Sequence, residues 1–325
     1  SLNNPRPNAS GHPPLPLVRD TTVVEREPDQ SQLTGRYTEE AIRFIESNRD
    51  QPFFLYLAHA FPHVPLWASD EFLGSTERGL YGDVISEIDA SVGDLMEALD
   101  RFGLAEETIV FYTSDNGPWL VFGNHGGSAG PYREGKATTF EGGHRVPGIV
   151  RWPGKIPAGA VSAELVTALD LTPTIVHLAG VDLPEDLAFD GYDISGLLQH
   201  PETTETPYDH FFYYRSGQLR GVRSGRWKLH VPHTFASMDG GEAGRDGMPG
   251  RYNYREFGPA LFDLESDPGE TNDVYDQNPD VVERLMRLVE QGRTELGDAL
   301  TESEGTDTRP PGRVDRPWAV QLDGE

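Results

Sequence analysis

The sequence contains no cysteine. Disulfide bonds and thiolate metal sites are therefore excluded, and the redox compartment stays open. Lysine is scarce, with only Lys136, Lys155 and Lys228 in 325 residues. No apolar run approaches the ~20 residues of a membrane-spanning helix. There is no adjacent Asp-Asp pair and no internal repeat. Basic residues are outnumbered, 27 Lys and Arg against 53 Asp and Glu, for a formal net charge of −26. A surface this acidic repels phosphates at long range, which argues against a nucleic-acid partner. It repels sulfated polymers equally, so any anion site must be a local positive pocket. Acidic excess with little lysine points to a high-salt habitat, and a melting temperature that does not rise with added salt would count against that. What is present suffices for a core. Hydrophobic residues make up 36% of the chain, with 15 Phe, 12 Tyr and 5 Trp. One large domain or two smaller ones can be built from this.

The stretch Thr108 to Arg145 organises the rest. Thr108 to Thr113 is β-branched and aromatic and predicts a buried strand. It stops at Ser114-Asp115-Asn116-Gly117, which is turn chemistry. In parallel α/β sheets ligands bind beyond the carboxyl ends of strands, where Asp115 and Asn116 would present two oxygen-bearing side chains. A long glycine-rich loop follows and delivers Lys136. Its glycines allow positive φ and close backbone approach, but the spacing is wrong for a phosphate-binding fingerprint.

Around this stretch the chain reads in order. Ser1 to Gln32 is irregular and carries a formal glycosylation sequon at Asn8. Tyr37 to Asn48 predicts a helix capped by Thr34 or Thr38. Phe53 to Leu57 predicts a central strand buried on both faces. His59 and His63 follow in a proline-flanked extended loop. Asp83 to Phe102 predicts the clearest helix, with Val84, Ile88, Val92, Leu95 and Leu99 on one stripe and Gly103 past its end. Helix followed by strand makes a parallel sheet the economical expectation. Pro147 to Trp152 is a further strand candidate. A helix starts at Thr172-Pro173, with Gly180 beyond it. From Pro207 short strands at His210 to Tyr214, Gln218 to Val222, Arg226 to Val231 and Ala260 to Leu264 predict an antiparallel sheet. Pro232 to Phe257 reads as a long polar excursion, Asn278-Pro279 opens a helix, and Thr301 to Glu325 reads as an extended tail packed through Trp318. The expected domain division is residues 1–206 and 207–325.

Several motifs in linked order carry a family resemblance. They are Ser114-Asp115-Asn116-Gly117, Gly126-Gly127-Ser128-Ala129-Gly130-Pro131, Arg133-Glu134-Gly135-Lys136, Phe140-Glu141-Gly142-Gly143 and Arg145-Val146-Pro147. Together they resemble the second half of a type I sulfatase, of the arylsulfatase A and N-acetylgalactosamine sulfatase branch, from about Leu15 to about Asp273. The resemblance implies an alkaline phosphatase-like α/β fold with a mostly parallel sheet flanked by helices, followed by a smaller antiparallel subdomain. It implies hydrolysis of an aryl or sugar sulfate ester, with Ca2+ or Mg2+ held partly by Asp115 and Asn116. Lys136 would contact sulfate and leaving oxygen. His63 matches the family's Pro-His-x-Pro histidine and would act as hydrogen-bond donor or general acid. Asp115 could also act as a base. His125 is a further candidate for substrate contact, or an exposed loop histidine. Arg133 and Arg145 are expected in ion pairs supporting the loop. His144 stands where relatives carry an apolar residue, and Asp190-Gly191-Tyr192-Asp193 resembles a structural loop of the family.

The departures matter as much. The family's nucleophile is a formylglycine made from Cys or Ser in Cys/Ser-x-Pro-x-Arg, and this chain has no such motif. Ser266-Asp267-Pro268-Gly269-Glu270 comes nearest and reads as a turn. The Asp-Asp metal pair is missing too, and so is the family's Lys-x-His pair, which lies upstream of everything here. The resemblance therefore covers the carboxyl-terminal half to two-thirds of a full enzyme, and implies an amino-terminal partner chain or a homo-oligomer. Two other functions fit these residues. One is a phosphoester or phosphonate monoester hydrolase of the same superfamily; the other is a non-catalytic remnant that binds a sulfated ligand or a partner.

Overall fold

The computed structural model describes residues 15–313. The Asn8 sequon and Trp318 lie outside them. The chain is α/β. A small hairpin opens it, β1 (Pro16–Arg19) and β2 (Thr22–Arg26). Helix α1 (Leu33–Ser47) begins four residues before the expected start. The start is set upstream by Asp29, whose side chain accepts from Ser31 N and caps the preceding turn of 3₁₀-helix. Thr34 and Thr38 are therefore buried inside the helix rather than capping it. Thr38 Oγ1 donates back to Thr34 O and lies 2.6 Å from Ser91 Oγ on the next helix.

That helix, α2 (Gly79–Arg101), packs along α1 and is followed by Gly103 at φ 72°. Leu80, Val84 and Ile88 of α2 join Leu33 of α1 in one core. The same core takes in Phe61, Val64, Leu66 and Ala68 from the proline loop, and Val121 and Phe122 from beyond the next strand. Each such aliphatic or aromatic side chain contributes roughly 1.5–3 kcal/mol through removal from water. The core therefore ties His63 and the stretch around Trp119 to the two long helices.

Strand β3 (Val110–Thr113) pairs with β4 (Gly148–Arg151) in antiparallel register, Val110 opposite Arg151 and Thr113 opposite Gly148. Between them lies a single helical turn, α3 (Glu141–His144). Two short helices follow, α4 (Leu171–Leu178) and α5 (Ser195–Gln199). Pro173 is the third residue of α4, not the first, because Thr167 and Asp170 form a capping box upstream. Asp190-Gly191-Tyr192-Asp193 is structural, as expected. Tyr192 N donates to the buried Asp170, and a Cβ on Gly191 would stand 2.2 Å from the Leu169 backbone.

The mostly parallel sheet is not present as ladders among the described residues, where every ladder is antiparallel. Phe53 to Leu57 forms no ladder, and Phe54 and Tyr56 are 65% and 80% exposed. A parallel ladder needs hydrogen-bonded neighbours, and no ladder among the described residues includes this segment. β3 is likewise only half-buried, with Tyr112 exposed.

The carboxyl-terminal part follows expectation more closely. Strands β5 (Phe211–Arg215), β6 (Gln218–Ser224), β7 (Trp227–His230) and β10 (Ala260–Asp263) form an antiparallel sheet of order β10-β7-β6-β5. Helix α6 (Pro279–Glu295) covers it, burying Leu285 and Val289 against Leu219, Val222, Leu229 and Leu261. The excursion expected from Pro232 to Phe257 is a second hairpin instead, β8 (His233–Glu242) and β9 (Arg251–Phe257). Its outer positions are polar, so composition read as loop what period-two alternation makes a strand.

Candidate functional site

Beyond β3 the chain turns away at Ser114 to Gly117. Gly117 N donates to Gly143 O at 3.0 Å, and a Cβ on Gly117 would stand 1.8 Å from the Gly142 carbonyl oxygen. Only glycine fits there. Gly142 N in turn donates to Arg133 O at 2.9 Å, and Lys136 N to Pro118 O at 2.8 Å. The strand-end turn and the glycine-rich loop are thereby stitched together by main-chain bonds, which bring Lys136 beside Trp119.

His63 arrives from the other side. It is exposed but lies between buried Phe61 and Val64, and cis peptides precede Pro62 and Pro65. His63 Nδ1 is 2.7 Å from Val64 O. With the proton placed on Nδ1 that bond is satisfied, and protonation would leave Nε2–H for a ligand. The His63 ring lies 5.3 Å from the Trp119 indole, tilted at 50°. The Lys136 ammonium lies 4.7 Å from the centre of the same ring. Trp119 was not singled out from the sequence as a site residue, yet it joins the two that were. Asp115 and Asn116 sit on the turn leading into it, Asp115 exposed and Asn116 half-buried. Asn116 Nδ2 donates to Gly117 O at 3.0 Å.

A calcium ion takes roughly six to eight oxygen ligands. Asp115 and Asn116 bring two side chains, and no cluster of three or more acidic or histidine groups suited to a metal exists among the described residues. These residues alone do not make a complete site for the metal that the resemblance implies.

His125 is buried, correcting the exposed alternative. Desolvation lowers its imidazole below the ordinary value, partly offset by the Asp246 carboxylate of the hairpin. The hairpin docks here firmly. Gly244 N and Gly250 N both donate to Val121 O at 2.8 Å, and Asn124 and Asp246 exchange two hydrogen bonds. Glu134 accepts from Ser237 Oγ and from Met238 N.

Beneath the loop lies a buried cluster that sequence reasoning missed. Lys228 Nζ is 2.9 Å from Glu141 Oε1 and 3.0 Å from Glu270 Oε1, and His230 Nε2 is 2.8 Å from the same Glu270 oxygen. Glu141 N also donates to Glu270 Oε2 at 2.6 Å. Burial would raise the Glu270 carboxyl, but the Lys228 ammonium and the His230 bond hold it at about 2. Burial would lower the Lys228 ammonium, but the two carboxylates raise it above the ordinary lysine value. Burial lowers both His230 and His233, the latter to about 4. Phe140, fully buried, stacks on His230 at 4.8 Å and meets Phe235 and Phe257 edge-on. The available signal was a scarce lysine inside an otherwise apolar strand, Trp227-Lys228-Leu229. Glu270 accounts for the Ser266 to Glu270 stretch as structure, with Asp267 capping Thr271 and Asn272.

The two arginines support the loop, though through no ion pair among the described residues. Arg133 donates to the Glu270 carbonyl at 3.0 Å and lies over Phe140 and Phe257, at 4.4 and 4.7 Å. The Glu270 carboxylate is already taken by Lys228 and His230. Arg145 lies over Tyr132 at 4.8 Å. His144 packs edge-on against Tyr213 at 5.0 Å.

Known proteins resemble this chain over most of its length. The sulfatase family model matches residues 4–181, the model for the C-terminal region of aryl-sulfatase matches 206–313, and that for the N-sulphoglucosamine sulphohydrolase C-terminus matches 134–239. N-acetylgalactosamine-6-sulfatase of Mus musculus is 37% identical over 309 residues, which cover 87% of this chain and 59% of that protein. Arylsulfatase A of Bos taurus is 38% identical over 290 residues, covering 86% and 55%. A solved protein of Bacteroides thetaiotaomicron, described under the metabolism of multiple glycosaminoglycans, superposes with a TM-score of 0.70 at 31% identity. The superposition covers 81% of this chain and 55% of that one. The chain thus spans less than two-thirds of the relatives it matches, and over that span it belongs to the sulfatase family.

Proposed function

We propose that this chain carries the leaving-group side of a sulfatase site, in a protein that hydrolyses aryl or sugar sulfate esters. One observation carries the reading. In a chain of net charge −26, Lys136 makes no ion pair among the described residues and lies with His63 around one indole. A cation left without a carboxylate, beside an imidazole at a strand's end, is the local positive site that an anionic ester requires. In this reading Lys136 binds the sulfate and counters charge on the leaving oxygen. His63, as imidazolium, donates its proton to that oxygen. Asp115 and Asn116 supply two of the oxygen ligands of a Ca2+ or Mg2+ ion, which would add Lewis-acid chemistry when bound. The remaining ligands and the formylglycine nucleophile come from outside the described residues.

The half-exposed run Phe53 to Leu57 supports a further part of the reading. Leu55, Tyr56 and Leu57 border an open cavity of 490 Å³ with Tyr37, Ala41 and Phe44 of α1. An unpaired apolar segment of this kind is a template for strand addition. We place there the sulfatase polypeptide that the relatives carry outside the matched span, supplied in the same chain or by a partner.

The test compares 4-nitrophenyl sulfate with 4-nitrophenyl phosphate as substrates, with calcium present. The enzyme is the longest polypeptide read in frame with this chain. Preferential sulfate turnover is expected from that polypeptide, and none from residues 1–325 alone. Preferential phosphate turnover would point to a phosphoester hydrolase, and binding without turnover to a non-catalytic remnant; either would overturn the reading.

A further inference from the structure

Two buried or half-buried lysines in this chain are held in opposite ways. Lys228 sits between two carboxylates, which cancel its charge locally. Lys136 sits on an aromatic face instead, 4.7 Å from the centre of the Trp119 ring. With 53 acidic residues available, the absence of a carboxylate partner among the described residues needs a physical account.

A carboxylate would fix a lysine well, but it would also neutralise the charge and occupy the N–H donors. An indole face attracts an ammonium through its quadrupole, leaving the net charge intact and the outward N–H groups free. For a group that must meet an incoming anion, the second arrangement is the better anchor. We infer that Trp119 is the positioning residue for Lys136: its π-face holds the ammonium in place while preserving its charge for the sulfate ester. The inference deepens the sulfatase reading and rests on it.

The surroundings of the indole fit this role. Trp119 O accepts from Phe122 N, and a Cβ on Gly126 would stand 2.3 Å from that same oxygen. The Phe122 ring meets the indole edge-on at 4.6 Å. Two hairpin amides hold Val121 O, two residues on. Tyr252, on β9, lies beside the indole as well. The ring is therefore held by backbone bonds and by a docked hairpin. The contact with His63 on the same indole links the two groups proposed to face the leaving oxygen. The segment that follows Trp119 and the β8–β9 hairpin are far apart in sequence and meet only in the fold.

The experiment replaces the indole at position 119 with mono-, di- and tetrafluorotryptophan by site-directed incorporation, in the full polypeptide that turns over sulfate ester. Fluorine withdraws π-density while nearly preserving shape. A purely structural role for Trp119 therefore predicts a flat series. The charge-holding role predicts a graded fall in kcat/KM for 4-nitrophenyl sulfate, by about 2- to 30-fold across the series. The urea midpoint should stay constant throughout. Trp119→Phe should retain more activity than Trp119→Leu. The fluorine series should also lose its effect in a Lys136→Met background. A flat series, or an equal effect with Lys136→Met, would overturn the inference and leave the sulfatase reading standing. Absence of sulfate turnover with the natural indole would overturn both.

Discussion

Replacing Lys228 by methionine should cost this protein a large share of its stability, and should do so in a pH-dependent way. The ammonium contacts Glu141 and Glu270 at 2.9 and 3.0 Å, with all three side chains at most 3% exposed. Methionine is similar in length but leaves two carboxylates in a dry site with no cation. Breaking a buried pair by removing one partner costs about 3–5 kcal/mol. The chain can relieve this by protonating one carboxyl, which costs about 1.4 kcal/mol for each pH unit above an ordinary value near 4.5. At pH 7 that escape costs about 3 kcal/mol, so the penalty lies in the same range. At pH 5 it costs under about 1 kcal/mol, and much of the loss should return. Against a total of roughly 5–15 kcal/mol for a folded domain, the effect at pH 7 is large. Urea unfolding followed by tryptophan fluorescence, at both pH values, measures it. Lys155→Met is the control, since Lys155 is exposed and should change stability by no more than about 0.5 kcal/mol. A loss below about 1 kcal/mol at pH 7, or a loss equal at both pH values, would refute the reasoning.

Three further outcomes are expected. Phe140→Ala should destabilise by about 3–5 kcal/mol in the same unfolding assay, because Phe140 is fully buried between His230, Phe235 and Phe257. Gly142→Ala should weaken or abolish sulfate-ester turnover, because its Cβ would stand 2.2 Å from Glu134 O and 2.3 Å from Arg133 O, in the loop that carries Lys136; turnover at the natural rate would contradict this. Acid should destabilise the fold in two stages, visible in urea midpoints measured across pH. His233 is neutral when folded, with its value lowered to about 4, so it withdraws stability as pH falls from its ordinary 6.5 toward 4. Glu270, held at about 2, contributes stability that is fully present above 4.5 and lost as pH falls through 2. A urea midpoint that stays level between pH 6.5 and 4 would contradict the first stage.

The parts legible in the sequence are those written by local pattern. The stripe of Val84, Ile88 and Leu99 foretold α2, and the short strands expected from His210, Gln218, Arg226 and Ala260 foretold the antiparallel sheet. Asp115, Asn116, His63 and Lys136 could be picked out because each lies in a motif. What could not be read was set by long-range contact. Phe53 to Leu57 has a strand's composition but pairs in no ladder among the described residues, and it stays half exposed. The β8–β9 hairpin hides behind polar outward positions. Trp119 gained meaning only when Lys136 and His63 converged on it, and Lys228 only when Glu141 and Glu270 did, from 87 and 42 positions away by their numbers. No window of sequence contains such a meeting.

The central claim is that Lys136, held on Trp119 beside His63, is the cation that receives a sulfate ester. The most direct measurement is kcat for 4-nitrophenyl sulfate with Lys136→Met, beside the natural polypeptide and Lys155→Met. Loss of a fixed group that counters developing charge costs about 10²–10³ in rate at comparable sites. A fall of that order, with Lys155→Met unchanged and with the urea midpoint preserved, is the predicted result. Undiminished turnover in Lys136→Met would contradict the account, because no other lysine stands on that loop.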